Sequence, residues 1–408
     1  MSDRLEVLSR TAVAVAKSIG WSIEGWRAIA VPARLCLGVE HGDYNGFLQM
    51  GLTVDRYNLI VYRKTSVPKL RLYSYGYGDY VTDIALNNPQ PVPDQEWTRF
   101  PVATLRVLAL EGYMGIHTGL DAVIVSDIPG GGMSRSAALC LGLIDVIDTV
   151  NNLGINRDTF EFPFITQRIE HELGSPCGLL DPTIEWFARD GQVVRFDPVT
   201  KTIGYIPIYP TFAADWMFAG LYTGRDRKGL STSRYPERVR ECQDLLAYCR
   251  NLLGNGDINL PQVVRSREYF RVVSNSLRQT NHALFSRLKY LHDASARLAL
   301  TTRALEAGDG DALGQAISAD GIGLNRDYNI SGLELEAMVE IAKSVGWSAR
   351  MAGGGDVGTA MAWGRRDQFD RLRLAVDRLY PTHHTDLPYS VEPLNITGGI
   401  IRFDHFTA

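Results

Sequence analysis

Apolar residues recur at helical spacing from Arg4 to Ile19, and the pattern stops near Gly20. From Ala28 to Lys64 it changes to a strand pattern, interrupted by a polar turn over 40–46. Tyr57–Arg63 and Leu70–Tyr75 alternate as the two strands of a hairpin would. Trp97–Gly112 predicts a helix. Leu120–Asp127 predicts a short apolar strand, ended by the break at Pro129–Gly132. Ser136–Leu153 reads as a mostly apolar helix with Gly154 at its C-terminal cap. Shorter strands are expected at Val193–Phe196, Ile203–Ile208 and Trp216–Leu221. Long helices are expected at Ser233–Leu253 and Leu277–Ala307, then at 309–319 and 332–345. A strand pair around Arg350 and Met361 follows, and Asn395–Phe406 reads as a last strand.

At 408 residues the chain is long enough for two domains. The pattern puts their boundary near 205–215, dividing 1–208 from 209–408, with the last strand near 395–406 able to pack back on the first half. The 45% hydrophobic and 22% charged residues are ordinary for a globular protein, so a core is available without special devices. A net charge of −4 gives no electrostatic case for nucleic acid or an anionic membrane. No run approaches the roughly 20 apolar residues of a membrane span. The N-terminus reads as the start of an amphipathic helix, not a secretion signal. Five scattered cysteines without metal spacing fit a reducing compartment, so a cytoplasmic location is expected. Oligomeric state is not legible.

Three stretches carry candidate chemistry. Arg34 interrupts the apolar run 28–39, and a buried arginine needs a partner; the alternative is an arginine reaching to solvent from an edge strand. Six residues later, Glu40-His41-Gly42-Asp43-Tyr44-Asn45-Gly46 gathers carboxylates, an imidazole, a phenol and an amide. Such groups suit a ligand rich in hydroxyls, although Gly, Asp and Asn also favour turns for backbone reasons. In the second stretch, Gly130, Gly131, Gly132, Met133, Ser134, Arg135 and Ser136 lie between a strand and a helix. Contiguous glycines and a helix N-terminus together make an anion site suited to a polyphosphate, or else form a plain tight turn. It is neither a Walker loop nor a dinucleotide fingerprint. In the third, Glu170-His171-Glu172 precedes Cys177-Gly178-Leu179-Leu180-Asp181-Pro182. Asp181 is a carboxylate that packing can orient and a cation can tune, or else the cap of the next helix.

In order along the chain, these stretches resemble the signatures of galactokinases, within the superfamily that also holds homoserine, mevalonate and phosphomevalonate kinases. Pro32, Arg34, Glu40, His41, Asp43, Tyr44, Asn45 and Gly46 match the first signature, with Gly42 where Thr is usual and Val39 where Gly is usual. Gly130, Gly132, Met133, Ser134, Ser136 and Ala137 match the second, with Arg135 in place of a small residue. Glu170-His171 and Pro176-Cys177-Gly178 to Asp181 resemble a further family segment, as does Ser231–Cys242 with Tyr235. Gly353, Gly355 and Gly358 resemble the third signature, with Asp356 where Phe is usual.

The resemblance implies a two-domain α+β fold with an N-terminal half like domain 2 of ribosomal protein S5 and a ferredoxin-like C-terminal half. It implies an ATP- and Mg²⁺-dependent sugar kinase acting on the anomeric hydroxyl of galactose or a close relative. By the same resemblance Asp181 is the catalytic carboxylate and Arg34 its cation. Glu40, His41, Asp43, Gly178 and Tyr235 bind sugar, and residues 130–136 bind ATP. Ser136 and Glu170 place Mg²⁺, with Glu172 the other carboxylate available. Gly42, Arg135 and Asp356 motivate a different acceptor (uronic acid, pentose or heptose). A catalytically silent sugar- and ATP-binding regulator is the other class, and intact Arg34, Ser136 and Asp181 argue against it.

Overall fold

The fold is a computed structural model that describes residues 3–78, 80–226, 233–382, 384 and 386–407. Ser231 and Thr232, at the start of the Tyr235 segment, lie outside the described residues.

Helix α1 (Asp3–Ser18) precedes β1 (Arg27–Gly38), β2 (Gln49–Thr65), β3 (Lys69–Ser74) and β4 (Thr82–Ala85). Then come α2 (Arg99–Leu110), β5 (Gly119–Ser126), α3 (Arg135–Asn151), α4 (Glu161–Glu172) and α5 (Leu180–Phe187). Strands β6 (Gln192–Asp197) and β7 (Thr202–Pro207) lead to α6 (Pro210–Asp215) and β8 (Trp216–Tyr222). Six helices follow: α7 (Tyr235–Leu253), α8 (Leu260–Arg265), α9 (Arg267–Thr280), α10 (His282–Ala307), α11 (Gly310–Arg326) and α12 (Leu333–Ser344). The chain ends with β9 (Ser348–Met351), β10 (Thr359–Arg365), α13 (Phe369–Leu379), β11 (Ser390–Leu394), β12 (Ile396–Thr397) and β13 (Ile401–Phe403).

Two sheets result. The larger is ordered β13-β1-β2-β5-β3-β4, and β6 and β12 also pair with the long β2. The smaller is antiparallel, β11-β8-β10-β9. The apolar side of α1 (Leu5, Leu8, Ala12) packs with Leu59, Val61 and Val123 on one face of the large sheet. α3 and α5 pack on β1 and β2, and α11 and α12 on β9. The last residues return to the large sheet: β12 pairs with β2 and β13 with β1.

Several elements differ from the sequence pattern for identifiable reasons. β2 and β3 are not hydrogen-bonded neighbours, because β5 lies between them, antiparallel to β2 and parallel to β3. The link 66–68 crosses the start of β5 at Gly119, where a Cβ would lie 1.9 Å from the Val67 carbonyl oxygen. Alternation reports which face a strand buries, not which strand sits beside it. α3 ends on left-handed Asn152 (φ 54°) and not on Gly154. The expected helix over 277–307 is two helices, divided at Asn281, whose side chain accepts from the Leu284 N–H at 3.1 Å. α11 continues to Arg326, because Gly321 and Gly323 serve close packing and not termination: a Cβ at Gly321 would lie 2.8 Å from that of Arg350. The terminal strand is broken into β12 and β13.

Candidate active site

Arg34 is 3% exposed on β1, opposite Thr53 of β2 and beyond the Ala28–Ala30 stretch that β13 covers. It does not reach solvent. Its Nε donates to Asp181 Oδ1 at 2.7 Å, and its NH1 to the Gly132 carbonyl at 2.6 Å. One buried cation thus joins the acidic helix α5 to the glycine turn. Burial works against its charge, but Asp181 and Glu40 outweigh that and push its pKa up. Asp181 sits in the first turn of α5, after Leu180, and the N-cap is Leu179 without a side-chain bond. The capping alternative for Asp181 is therefore not realised.

The polar turn 40–46 folds against the same place. A short 3-10 turn (Asp43–Asn45) carries Asp43, whose Oδ2 accepts from the Leu180 N–H at 3.3 Å. Gly178 makes this contact sterically possible, since a Cβ there would lie 2.0 Å from that oxygen. Burial, followed by the charge of Asp181, raises the Asp43 carboxyl to about 6. At Gly42 a Cβ would lie 2.9 Å from the Val39 carbonyl oxygen and 2.7 Å from Gln49 Nε2. The departure from Thr at Gly42 thus follows from local crowding. His41 takes a left-handed backbone (φ 59°) and packs its ring 5.1 Å from that of Tyr235 and 5.0 Å from that of Tyr328. Tyr44 OH bonds Tyr328 OH at 2.6 Å and His41 Nδ1 at 3.1 Å.

Glu40 is held from the smaller sheet. Arg350 on β9, 1% exposed, donates from NH1 to Glu40 Oε2 at 2.7 Å and from NH2 to the Cys36 carbonyl at 2.8 Å. Its Nε lies 3.4 Å from Asp320 of α11. Burial pushes the Glu40 carboxyl up against the pull of Arg350 and Arg34.

The glycine turn has Gly131 and Gly132 at φ 134° and 90°, and Ser134 left-handed at φ 64° before α3. It interlocks with the second glycine loop: a Cβ on Gly353 would lie 2.9 Å from the Gly132 carbonyl oxygen, and one on Gly358 2.8 Å from the Gly131 backbone. Ser136 donates to Glu170 Oε1 at 2.5 Å, and Cys177 donates from Sγ to Oε2 at 2.8 Å. Glu172 is instead exposed, 3.9 Å from Arg106, so Glu170 is the carboxylate beside Ser136.

One cavity of about 630 Å³ is lined by Arg34, Glu40, His41, Asp43, Gly178, Asp181 and Tyr235 at one end and by Gly130, Gly131, Gly132, Ser134, Arg135, Ser136 and Glu170 further along. Met133 is the exception among the expected residues: its side chain turns into the core and does not line the cavity. Asn58, Gln95 and Trp97 also line it, and none was singled out from the sequence. Their Asn58 Oδ1, Gln95 Nε2 and Trp97 Nε1 are buried polar atoms without a hydrogen-bond partner among the described residues. Buried polar groups of this kind call for a ligand or water.

Residues 100–188 match the family model of the GHMP kinase N-terminal domain. A galactokinase of Pyrococcus furiosus is 30% identical over 352 residues, covering 86% of this chain and 92% of that protein. The chain belongs to the galactokinase family. A galactokinase of Staphylococcus carnosus is 26% identical over 360 residues, covering 86% of this chain and 89% of that one. Lactococcus lactis galactokinase, solved in complex with galactose, superposes with a TM-score of 0.84 at 25% identity, covering 97% of this chain and 99% of that one. Methanococcus jannaschii mevalonate kinase shares the fold, at TM-score 0.61 and 16% identity over 91% of this chain and 98% of that one. Asp356, unusual for a galactokinase-family loop, has a polar task here. Its carboxylate accepts the Arg234 N–H at 2.6 Å and its Nε–H at 2.5 Å, which fixes the start of α7 and with it Tyr235. No helix among the described residues is long and apolar enough to cross a membrane.

Proposed function

We propose that this galactokinase-family chain transfers the γ-phosphoryl group of ATP to the anomeric hydroxyl of galactose. The observation that carries the reading is the buried Arg34 bonded to both Asp181 and the Gly132 carbonyl, because it joins a candidate base to a phosphate loop inside one cavity. Asp181 accepts the proton as the sugar oxygen forms its bond to phosphorus and the bond to the β-phosphate oxygen breaks, releasing ADP. Arg34 orients Asp181 and stabilises charge on the transferring group. Asp43, Glu40, His41 and Tyr235 hold the remaining sugar hydroxyls, and positioning of this kind supplies much of the rate. The loop 130–136 receives the phosphates. Asn58, Gln95 and Trp97 offer one acceptor and two donors to the adenine ring of ATP.

Ser136 and Glu170 present hard oxygen donors side by side in the cavity, and Mg²⁺ commonly takes one or two protein oxygens and completes its shell from phosphates and water. This pair fits Mg²⁺, which would neutralise charge on the nucleotide phosphates. We assign sugar and nucleotide binding mainly to residues 1–208 and the second glycine loop to 209–408, with β12 and β13 completing the first sheet. Arg135 stands in the phosphate loop beside Asp226 and Tyr77, so the nucleotide phosphates give its charge a role and an acidic acceptor is not required. Coupled-assay turnover with free galactose, galacturonate, a pentose and a heptose, each with ATP and Mg²⁺, tests the reading. Galactose should give the highest kcat/KM, and turnover of galacturonate alone would overturn it.

A further inference from the structure

Arg135 lines the cavity within the phosphate loop, and beside it stands Asp226, a carboxylate that the reaction above does not use. Arg135 opens α3 in the large-sheet half, and Asp226 follows β8 of the small sheet. Arg135 NH2 lies 3.9 Å from Asp226 Oδ2, and its guanidinium stands 5.5 Å from the centre of the Tyr77 ring. Asp226 is fixed from its other side, where Tyr222 donates its O–H to Oδ1 at 2.6 Å. The carboxylate also lies flush against Gly130: a Cβ there would be 1.9 Å from Oδ1. A negative group therefore sits against the first glycine of the phosphate loop, beside the guanidinium of that same loop.

We propose that Asp226 competes with the nucleotide phosphates for the Arg135 guanidinium, and thereby sets the affinity for ATP. This rests on the ATP-binding reading above. A guanidinium forms its strongest pairs by forked contact with phosphate or carboxylate oxygens. At 3.9 Å, with side chains 32% and 55% exposed, the Arg135–Asp226 pair makes no such forked contact. Pairs of this kind are weak. A phosphate seated on the glycine turn carries more charge and meets the helix N-terminus as well. It takes the guanidinium, and Asp226 keeps its bond from Tyr222. A side chain at position 130 would displace Asp226 from this place, since its Cβ would fall 1.9 Å from Oδ1.

Calorimetric titration with ATP and with adenosine tests the proposal in the parent protein, Asp226→Asn, Arg135→Ser and the double variant. Asp226→Asn keeps the shape and the acceptor for Tyr222. It should tighten ATP binding about two- to fivefold, the range expected for freeing one exposed ion pair. Arg135→Ser should weaken ATP binding. Adenosine, which has no phosphate, should bind all four proteins equally. The gain from Asp226→Asn should shrink when Arg135 is absent. Unchanged ATP affinity in Asp226→Asn would overturn the proposal. So would an equal gain in both backgrounds, since that is plain repulsion without a shared guanidinium. Failure of the parent protein to bind ATP would overturn the nucleotide reading itself, a result distinguishable from the other two.

Discussion

Asp43 accepts hydrogen bonds from two sugar hydroxyls best as a carboxylate, yet its surroundings resist ionisation. Burial and the neighbouring Asp181 raise its carboxyl from 3.8 to about 6. As pH falls through about 6, the KM for sugar should therefore rise, while the KM for ATP stays level. Asp43→Asn should remove that pH dependence. Asp43→Ala should weaken sugar binding by roughly 1.5–3 kcal/mol, the loss expected for a charged acceptor with unpaired hydroxyl partners. The same shift acts on stability with a definite sign. The folded value lies above the unfolded one, so this group favours folding below about 3.8 and that contribution is lost as pH rises through about 6. Ionised Asp43 thus works against the fold at neutral pH. Asp43→Asn should unfold at a higher temperature than the parent at pH 7.5 while binding sugar less well. A lower unfolding temperature would contradict the assignment.

At the scale of elements, the site depends on glycines that let loops close on one another. Gly178→Ala would set a methyl 2.0 Å from Asp43 Oδ2 and displace that carboxylate. The sugar KM should rise about tenfold or more, toward the loss of Asp43→Ala, with little change in the KM for ATP; kinetics with each substrate varied in turn would show it, and an unchanged sugar KM would contradict it. The strand runs, the glycine turn and the order of the signatures were legible because each is written in consecutive residues. The insertion of β5 between β2 and β3 was not, because alternation in 57–63 and 70–75 is the same for either neighbour. The extension of α11 beyond 319 was not legible, because Gly321 packs on Arg350 of β9 and Gly323 on Tyr290 of α10, and neither partner is local in sequence. Asp356 looked like a lost apolar contact, since nothing local shows that Arg234 is its partner. Arg350 carries the same signal as Arg34, a lone arginine in an apolar strand, and that reasoning applied twice would have found it.

Across the whole molecule, the two sheets meet through buried charge. Arg350 links Glu40, which follows β1, to Asp320 of α11, and Asp320 in turn accepts from Arg297 of α10 at 2.9 Å. Arg350→Met would leave Glu40 and Asp320 without that cation. Removing one partner of a buried pair costs about 3–5 kcal/mol. Denaturant unfolding should show that loss, together with a raised sugar KM from a misplaced Glu40; parent-like stability would mean that the two sheets do not depend on this link. This architecture serves one proposed chemical event, proton acceptance by Asp181 during phosphoryl transfer to the anomeric oxygen. Phosphorus NMR of the protein incubated with galactose, ATP and Mg²⁺, run in parallel with Asp181→Asn, tests it most directly. The parent should give galactose 1-phosphate and ADP in equal amounts, and the folded variant a rate lower by roughly two to four orders of magnitude. Phosphate on another hydroxyl, or a variant that turns over at the parent rate, would contradict it.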